Sequence, residues 1–230
     1  MQKILIIRMS AVGDIVMATP IIDAIKASYP AASISWLVQP HFSAPIKDHP
    51  AIDHVIEWDH RLWSKLWKER KFGELFKSIR AFRKQLRSYG FDTVLDMQGL
   101  LKSGIPAWFT GAEQRIGLGS KEGSQIFMHQ VVARDEGNVQ KIGSEYRYLA
   151  EQLRLDTSGW AMRLESSAEA KAEVESILQQ HTDSKEYVVI CPFTTRPQKH
   201  WFDDYWRELV GLLHENTSKS VLMLGGPGDK

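Results

Sequence analysis

The first residues of the chain set the strongest constraint. Ile4-Leu5-Ile6-Ile7 is an unbroken, mostly β-branched apolar run. Such a run fits a strand buried on both faces, as in a parallel sheet covered by helices on each side. Met9-Ser10-Ala11-Val12-Gly13-Asp14 is short, small and polar enough for a strand-to-helix loop, and Ile15 to Ser28 reads as a buried helix. Pro20 allows two readings of that helix: a start at Pro20 with Thr19 as N-cap, or an earlier start with a kink. In both, Asp14 stands at the carboxyl end of the first strand.

The strand–helix rhythm continues. Ile34 to Val38, His54 to Glu57 and Asp92 to Asp96 read as strands. Glu74 to Arg87 reads as a helix, with Leu75, Ile79, Phe82 and Leu86 on one face and basic residues on the other. A further helix is expected from about Gly143 to Leu153, and residues 104 to 142 are left undecided. This alternation predicts a doubly wound α/β domain over residues 1–160, with ligands beyond the carboxyl ends of the strands.

A second unit is expected over residues 161–230. Ser166-Ser167-Ala168-Glu169 is a capping-box pattern opening a helix to about Gln180. Tyr187 to Cys191 and Val221 to Leu224 read as strands, with a polar loop from Pro192 to Phe202 and a helix carrying Trp206, Leu209, Val210 and Leu213 between them. One parallel pair with so few helices buries too little apolar surface to offset its ordering entropy. The expectation is therefore the front part of a longer two-domain protein.

Composition narrows the class. Hydrophobic residues at 43% and charged residues at 25% exclude disordered and fibrous chains, and 230 residues make one or two domains. The single cysteine, Cys191, forms no intramolecular disulfide, and no apolar run is long enough to span a membrane. Arg8 interrupts the N-terminal apolar run before it reaches the length of a secretory signal. A cytoplasmic protein is expected. The eight histidines show no pairing at metal-ligand spacing, so no metal site is expected.

The net charge of +1 hides an asymmetry. Residues 58–88 hold ten basic residues, Arg61 among them, against Asp59, Glu69 and Glu74, so the segment is +7 and the remainder −6. Trp58, Trp63, Trp67, Phe72 and Phe76 are interleaved with the charges. The segment reads either as a solvated helix face with an aromatic core side, or as a surface for an anionic lipid layer or anionic substrate. The near-neutral total and the lack of a reading motif argue against nucleic acid.

Three clusters could carry chemistry. Asp14, at a strand-to-helix turn, reads either as a helix cap or as a general base towards a hydroxyl. Its loop lacks the second glycine and the Gly-Lys-Ser/Thr ending of a P-loop. The Phe193 to Trp201 loop follows a strand and precedes a helix, and Thr194, Thr195 and Lys199 supply donors and charge suited to a diphosphate. Asp229, after the next strand, reads as a turn residue or as an acceptor for ribose hydroxyls. Gln98 and Lys102 follow the strand ending at Asp96 and would line the cleft beside Asp14 if the two strands are neighbours.

Three blocks resemble a known family. Ser10 to Pro20 is similar to the N-terminal signature of the ADP-heptose:lipopolysaccharide heptosyltransferases. Asp96-Met97-Gln98-Gly99-Leu100-Leu101-Lys102-Ser103 resembles their second block, and Thr194-Thr195-Arg196 with Lys199-His200-Trp201 and Trp206-Arg207-Glu208-Leu209 their third. The Thr-Thr-Arg and Gln-Gly-Leu forms look more like heptosyltransferase I than heptosyltransferase II.

The resemblance implies a GT-B glycosyltransferase of family 9, with two Rossmann-like domains facing a cleft. It implies an acceptor in the first, the Kdo residue of lipid A, and ADP-L-glycero-D-manno-heptose as donor in the second. Inverting transfer without metal or cofactor, at the inner face of an anionic inner membrane, follows by the same resemblance. By position, Asp14 becomes the expected base. Thr194, Thr195 and Lys199 become diphosphate contacts, and Asp229 stands where the family often has Glu at the ribose. Ser10, Gly13, Arg61, Gln98 and Lys102 are expected around the acceptor. The family's later Asp-Thr-Gly block lies beyond Lys230, so weak or no activity is expected of the 230 residues alone. Transfer of another sugar, or a non-catalytic lipid-surface module, are the alternatives.

Overall fold

A computed structural model describes residues 1–120, 122–134, 143–182, 186–194 and 197–226. The chain divides into two compact units, Met1–Ser166 and Ser167–Lys230.

In the first unit the order is β1 (Lys3–Ile7), α1 (Val12–Ala18), α2 (Pro20–Ser28), β2 (Ser33–Val38), α3 (Ala44–Lys47), β3 (His54–Glu57), α4 (Arg61–Lys68), α5 (Phe72–Ser88), β4 (Thr93–Asp96), α6 (Leu101–Thr110), β5 (Gln114–Leu118), β6 (Gln130–Val132) and α7 (Ser144–Gln152). The six strands lie in the order β3-β2-β1-β4-β5-β6, every neighbouring pair parallel. The doubly wound α/β expectation holds.

The opening apolar run explains why β1 is central. Side chains alternate across a strand, so Ile4 and Ile6 enter one core with Ile34, Trp36, Ile21 and Leu149, while Leu5 and Ile7 enter the other with Leu37, Val94, Phe82 and Leu86. All four residues of the run are fully buried.

Both readings of Pro20 contain part of the outcome. Helix starts at Val12, breaks at Thr19, and resumes with Pro20 as the first residue of α2. Pro20 has no N–H to continue the ladder, and the Thr19 hydroxyl turns back to donate to the Val16 carbonyl at 2.8 Å. The basic segment holds two helices, α4 and α5, joined at Glu69–Lys71, and the expected Glu74 to Arg87 helix lies within the second.

In the second unit, α8 (Ala168–His181) precedes β7 (Tyr187–Ile190), and α9 (Asp203–Asn216) connects it to β8 (Ser220–Met223). The two strands pair in parallel, from Tyr187 opposite Ser220 to Ile190 opposite Met223. Ser167 caps α8, its hydroxyl accepting from the Ala170 N–H at 3.1 Å.

Candidate active site

The strand order reverses between β1 and β4, and a crevice opens at such a switch point beyond the carboxyl ends of the strands. Ile7 lies opposite Asp96 in the register, so the loops after β1 and β4 leave the sheet side by side. They are tied together. The Gln98 side-chain oxygen accepts from the Met9 and Ser10 N–H groups at 2.9 and 3.3 Å. Arg8 donates through Nη1 to the Met97 carbonyl at 3.0 Å. From the other side, Trp36 Nε1 donates to the Arg8 carbonyl at 3.0 Å.

Asp14 is the third residue of α1. One carboxylate oxygen accepts from the Ala11 N–H at 3.2 Å, closing the first turn, and pairs with Arg8 Nη2 at 2.5 Å. The same carboxylate thus closes the first turn of the helix and carries an ion pair. The pair is asymmetric: the Arg8 side chain is 7% exposed and that of Asp14 39%. A buried cation holds a carboxylate that still reaches solvent, the arrangement a base needs to meet a substrate hydroxyl. Arg8 Nε is buried with no hydrogen-bond partner among the described residues, and the guanidinium lies 5.6 Å from the centre of the Tyr146 ring.

Beneath this surface sits Asp96, fully buried at the end of β4. It accepts from the N–H groups of Gln98 and Gly99 at 3.0 and 3.1 Å and lies 2.9 Å from the Ser103 hydroxyl. Burial pushes the carboxyl up from 3.8 to about 6, against the pull of these hydrogen bonds and of Arg134. Gly99 makes the turn possible. Its φ is +67°, and a Cβ there would lie 2.6 Å from the Arg134 guanidinium and 3.1 Å from the Leu118 carbonyl. This is the physical content of the Gln-Gly pair in the second block.

A cleft of about 620 Å³ opens over these loops, lined by Arg8, Gln98, Gly99, Gly119, Glu122 and Arg134 among others. Arg134 bridges its walls, donating to the carbonyls of Gln98 at 2.9 Å and Gly119 at 3.2 Å and pairing with Glu145 at 2.7 Å.

The other predicted residues of the first unit fall at the same end of the sheet. Ser10 is half-buried, and Gly13 is exposed with open space where a Cβ would stand. Gln98 lines the cleft, with its side-chain oxygen committed to the loop after β1. Lys102, in the first turn of α6, is half-buried; burial lowers the His60 imidazole below its ordinary value, and the Lys102 charge pushes the same way. Arg61 opens α4 and pairs with Asp59 at 3.0 Å.

In the second unit, Thr194 is half-buried after β7, its carbonyl 2.6 Å from His200 Nε2, and Lys199 is exposed in a 3₁₀ turn, Pro197–Lys199. Thr195 and Asp229 lie outside the described residues. A separate cleft of about 480 Å³ lies between Pro192, Phe193, Met223 and the first turns of α9, where Trp206 Nε1 is buried with no partner among the described residues.

Arg8, Asp96 and Arg134 were not singled out by residue type. The signal for the first two was available: a charged residue directly follows each of two apolar runs, Ile4 to Ile7 and Val94-Leu95.

Comparison with known proteins agrees with the geometry. A family profile described as glycosyltransferase family 9 (heptosyltransferase) matches residues 79–230. Lipopolysaccharide heptosyltransferase 1 of Escherichia coli K12 is 29% identical over all of this chain and 70% of its own length, and that of Salmonella typhimurium is 26% identical with the same coverage. The chain thus spans about 70% of the length of these relatives. The crystal structure of E. coli heptosyltransferase WaaC with ADP-2-deoxy-2-fluoro heptose superposes with a TM-score of 0.72 at 26% identity, over 98% of this chain and 70% of that one. A family 9 glycosyl transferase from Veillonella parvula shares the fold with a TM-score of 0.81 at 18% identity, over 99% of this chain and 63% of that one. The chain belongs to glycosyltransferase family 9, the heptosyltransferase family.

Proposed function

We propose that the protein containing this chain transfers L-glycero-D-manno-heptose from ADP-heptose to a Kdo residue of lipid A, with inversion and without metal. The observation that carries the reading is Asp14: a partly exposed carboxylate at the switch-point end of β1, anchored by buried Arg8. Membership of the heptosyltransferase family and the likeness to an enzyme crystallised with an ADP-heptose analogue support the choice of donor.

In this mechanism Asp14 takes the proton of the Kdo hydroxyl as its oxygen attacks the anomeric carbon of the heptose. The bond from that carbon to the diphosphate breaks on the opposite face, and ADP leaves. Lys199 with Thr194 and Thr195 balances the charge that develops on the diphosphate, and Asp229 accepts from the ribose. Ser10, Gly13, Arg61, Gln98 and Lys102 surround the acceptor, Gln98 by fixing the loop that carries Ser10. The acceptor is borne on lipid, so the reaction takes place at the inner-membrane surface.

Replacing the base while keeping its shape tests the reading. Asp14→Asn in the complete enzyme should lower turnover by roughly 10² or more, the scale of general-base catalysis, with ADP-heptose affinity preserved. Turnover near that of the parent enzyme would remove Asp14 from the mechanism.

A further inference from the structure

The structure separates the aromatic residues of the basic segment into two groups. Trp58, Trp63 and Phe82 pack together, with Trp58 stacked on Phe82 at 4.9 Å and edge-on to Trp63 at 4.8 Å. They are core. Trp67, Phe72 and Phe76 are 64%, 52% and 67% exposed, and Trp67 and Phe72 meet edge to face at 5.3 Å across the bend between α4 and α5. Large apolar side chains gathered on one exposed tip, instead of scattered singly, mark a surface that meets something.

The shape of the crossover explains the exposure. α5 has 17 residues, about 25 Å, and returns to a β4 of only four residues, about 13 Å. Phe82 and Leu86, its buried residues, lie in the second half. The first turns overhang the sheet. Because α5 leads back to the amino end of β4, this overhang stands at the carboxyl edge, the edge that carries Asp14.

Charge surrounds the exposed tip. Lys65, Lys68, Arg70, Lys71, Lys77 and Arg80 are all exposed, and only Lys65 and Lys71 have an acidic partner among the described residues, both sharing Glu69. Among the described residues, no helix is long and apolar enough to cross a membrane. Aromatic rings beside lysine and arginine, on a helical hairpin too short to span, suit the headgroup layer of an anionic bilayer: the rings enter the acyl boundary while the cations remain with the phosphates.

We infer that the α4–α5 tip docks this unit on an anionic phospholipid leaflet, with Trp67, Phe72 and Phe76 as the inserting residues. The inference deepens the reading of a lipid-borne acceptor and rests on it for its biological sense, but its test needs no reaction. The 230-residue chain is sedimented with vesicles of phosphatidylethanolamine and phosphatidylglycerol, and with vesicles of phosphatidylcholine alone. The chain should bind the anionic vesicles and not the neutral ones. The triple variant Trp67→Ala, Phe72→Ala, Phe76→Ala should lose about tenfold or more in partitioning, since each substitution removes a ring from the interface. Its circular dichroism should match the parent, because the three rings are exposed.

Failure of the parent chain to bind anionic vesicles would overturn the inference. So would full binding by the triple variant, which would mean adsorption through charge alone. Should the triple variant misfold, brominated acyl chains supply the second measurement: quenching of the parent's tryptophan emission, lost in Trp67→Phe, supports insertion, and unquenched emission overturns it. Vesicle binding by the 230-residue chain, with no heptose transfer by the complete enzyme, would leave the docking surface standing and end the proposed function instead.

Discussion

Burial holds the Asp96 carboxyl towards its protonated form against the N–H groups of Gln98 and Gly99, and the Ser103 hydroxyl can serve either state. Ser103 Oγ lies 2.9 Å from one Asp96 oxygen and 2.7 Å from the Leu100 carbonyl, and accepts from the Leu100 N–H at 3.0 Å. A hydroxyl has one proton. When Asp96 is protonated it can donate to Ser103, whose own proton then serves Leu100, and every partner is satisfied. When Asp96 ionises, Ser103 must turn to it and the Leu100 carbonyl loses that donor. Its folded value, raised from 3.8 to about 6, gives stability that is complete below about 4 and lost as pH rises through about 6. Asp96→Asn mimics the protonated acid, with its amide donating to Ser103. In thermal unfolding, the variant should gain on the parent between pH 4 and pH 7 by on the order of 2–3 kcal/mol, the linkage of about two pH units at 1.4 kcal/mol each. A difference between the two proteins that stays constant with pH would show that Asp96 does not titrate in that window.

Along the helices the same residue type has opposite weight according to which half of an element covers the sheet. Phe82→Ala, in the buried half of α5, removes a ring stacked on Trp58 and should cost about 3–5 kcal/mol in urea unfolding. Phe76→Ala, in the overhanging half, should stay within about 0.5 kcal/mol of the parent. Equal costs would contradict the division of the segment into core and tip. This contrast also shows where sequence reading succeeds and fails. The Leu75-Ile79-Phe82-Leu86 spacing marks the inward face of α5, and the unbroken run of β1 with the largely apolar cores of β2 and β4 marks the central strands, because burial on both faces leaves a local pattern. Nothing local marks the bend between α4 and α5: it turns at Arg70, with φ +57° and neither glycine nor proline. α6 carries Gly104, which leaves room for Phe127 and Ser124 against its backbone, and Pro106 inside the helix, so it lacks a clear helical signature. β6, at the sheet's edge, has three residues and buries one, and β5 beside it opens on the polar Gln114-Arg115, so neither leaves a clear strand pattern. The site divides in the same way. Asp14 and Gln98 were legible from their places just beyond strands. The roles of Arg8 and Asp96 depend on β1 pairing with β4, a contact some ninety residues apart in the chain, which no window of sequence displays.

The two units differ in how their strands are covered, and that difference has a measurable consequence for the whole chain. In the first unit, four of the five residues of β1, five of the six of β2 and all four of β4 are buried. In the second, β7 buries only Ile190, β8 buries no residue, and neither α8 nor α9 buries one. The two strand pairs have the same parallel ladder, so the hydrogen bonds alone would protect both alike. Protection against exchange is set instead by the free energy of opening, which grows with the apolar surface that opening exposes. Native-state amide exchange should therefore find the slowest N–H groups in β1, β2 and β4, opening only with the first unit as a whole. Those of β7 and β8 should exchange faster by roughly two orders of magnitude or more. Adding ADP-heptose should slow β7 and β8 by a factor of one plus the ratio of free ligand to its Kd, since a ligand that binds only the folded unit stabilises that unit. Protection in β7 equal to that in β1 without ligand would mean that the exposed faces of Tyr187, Val189 and Met223 are covered in solution.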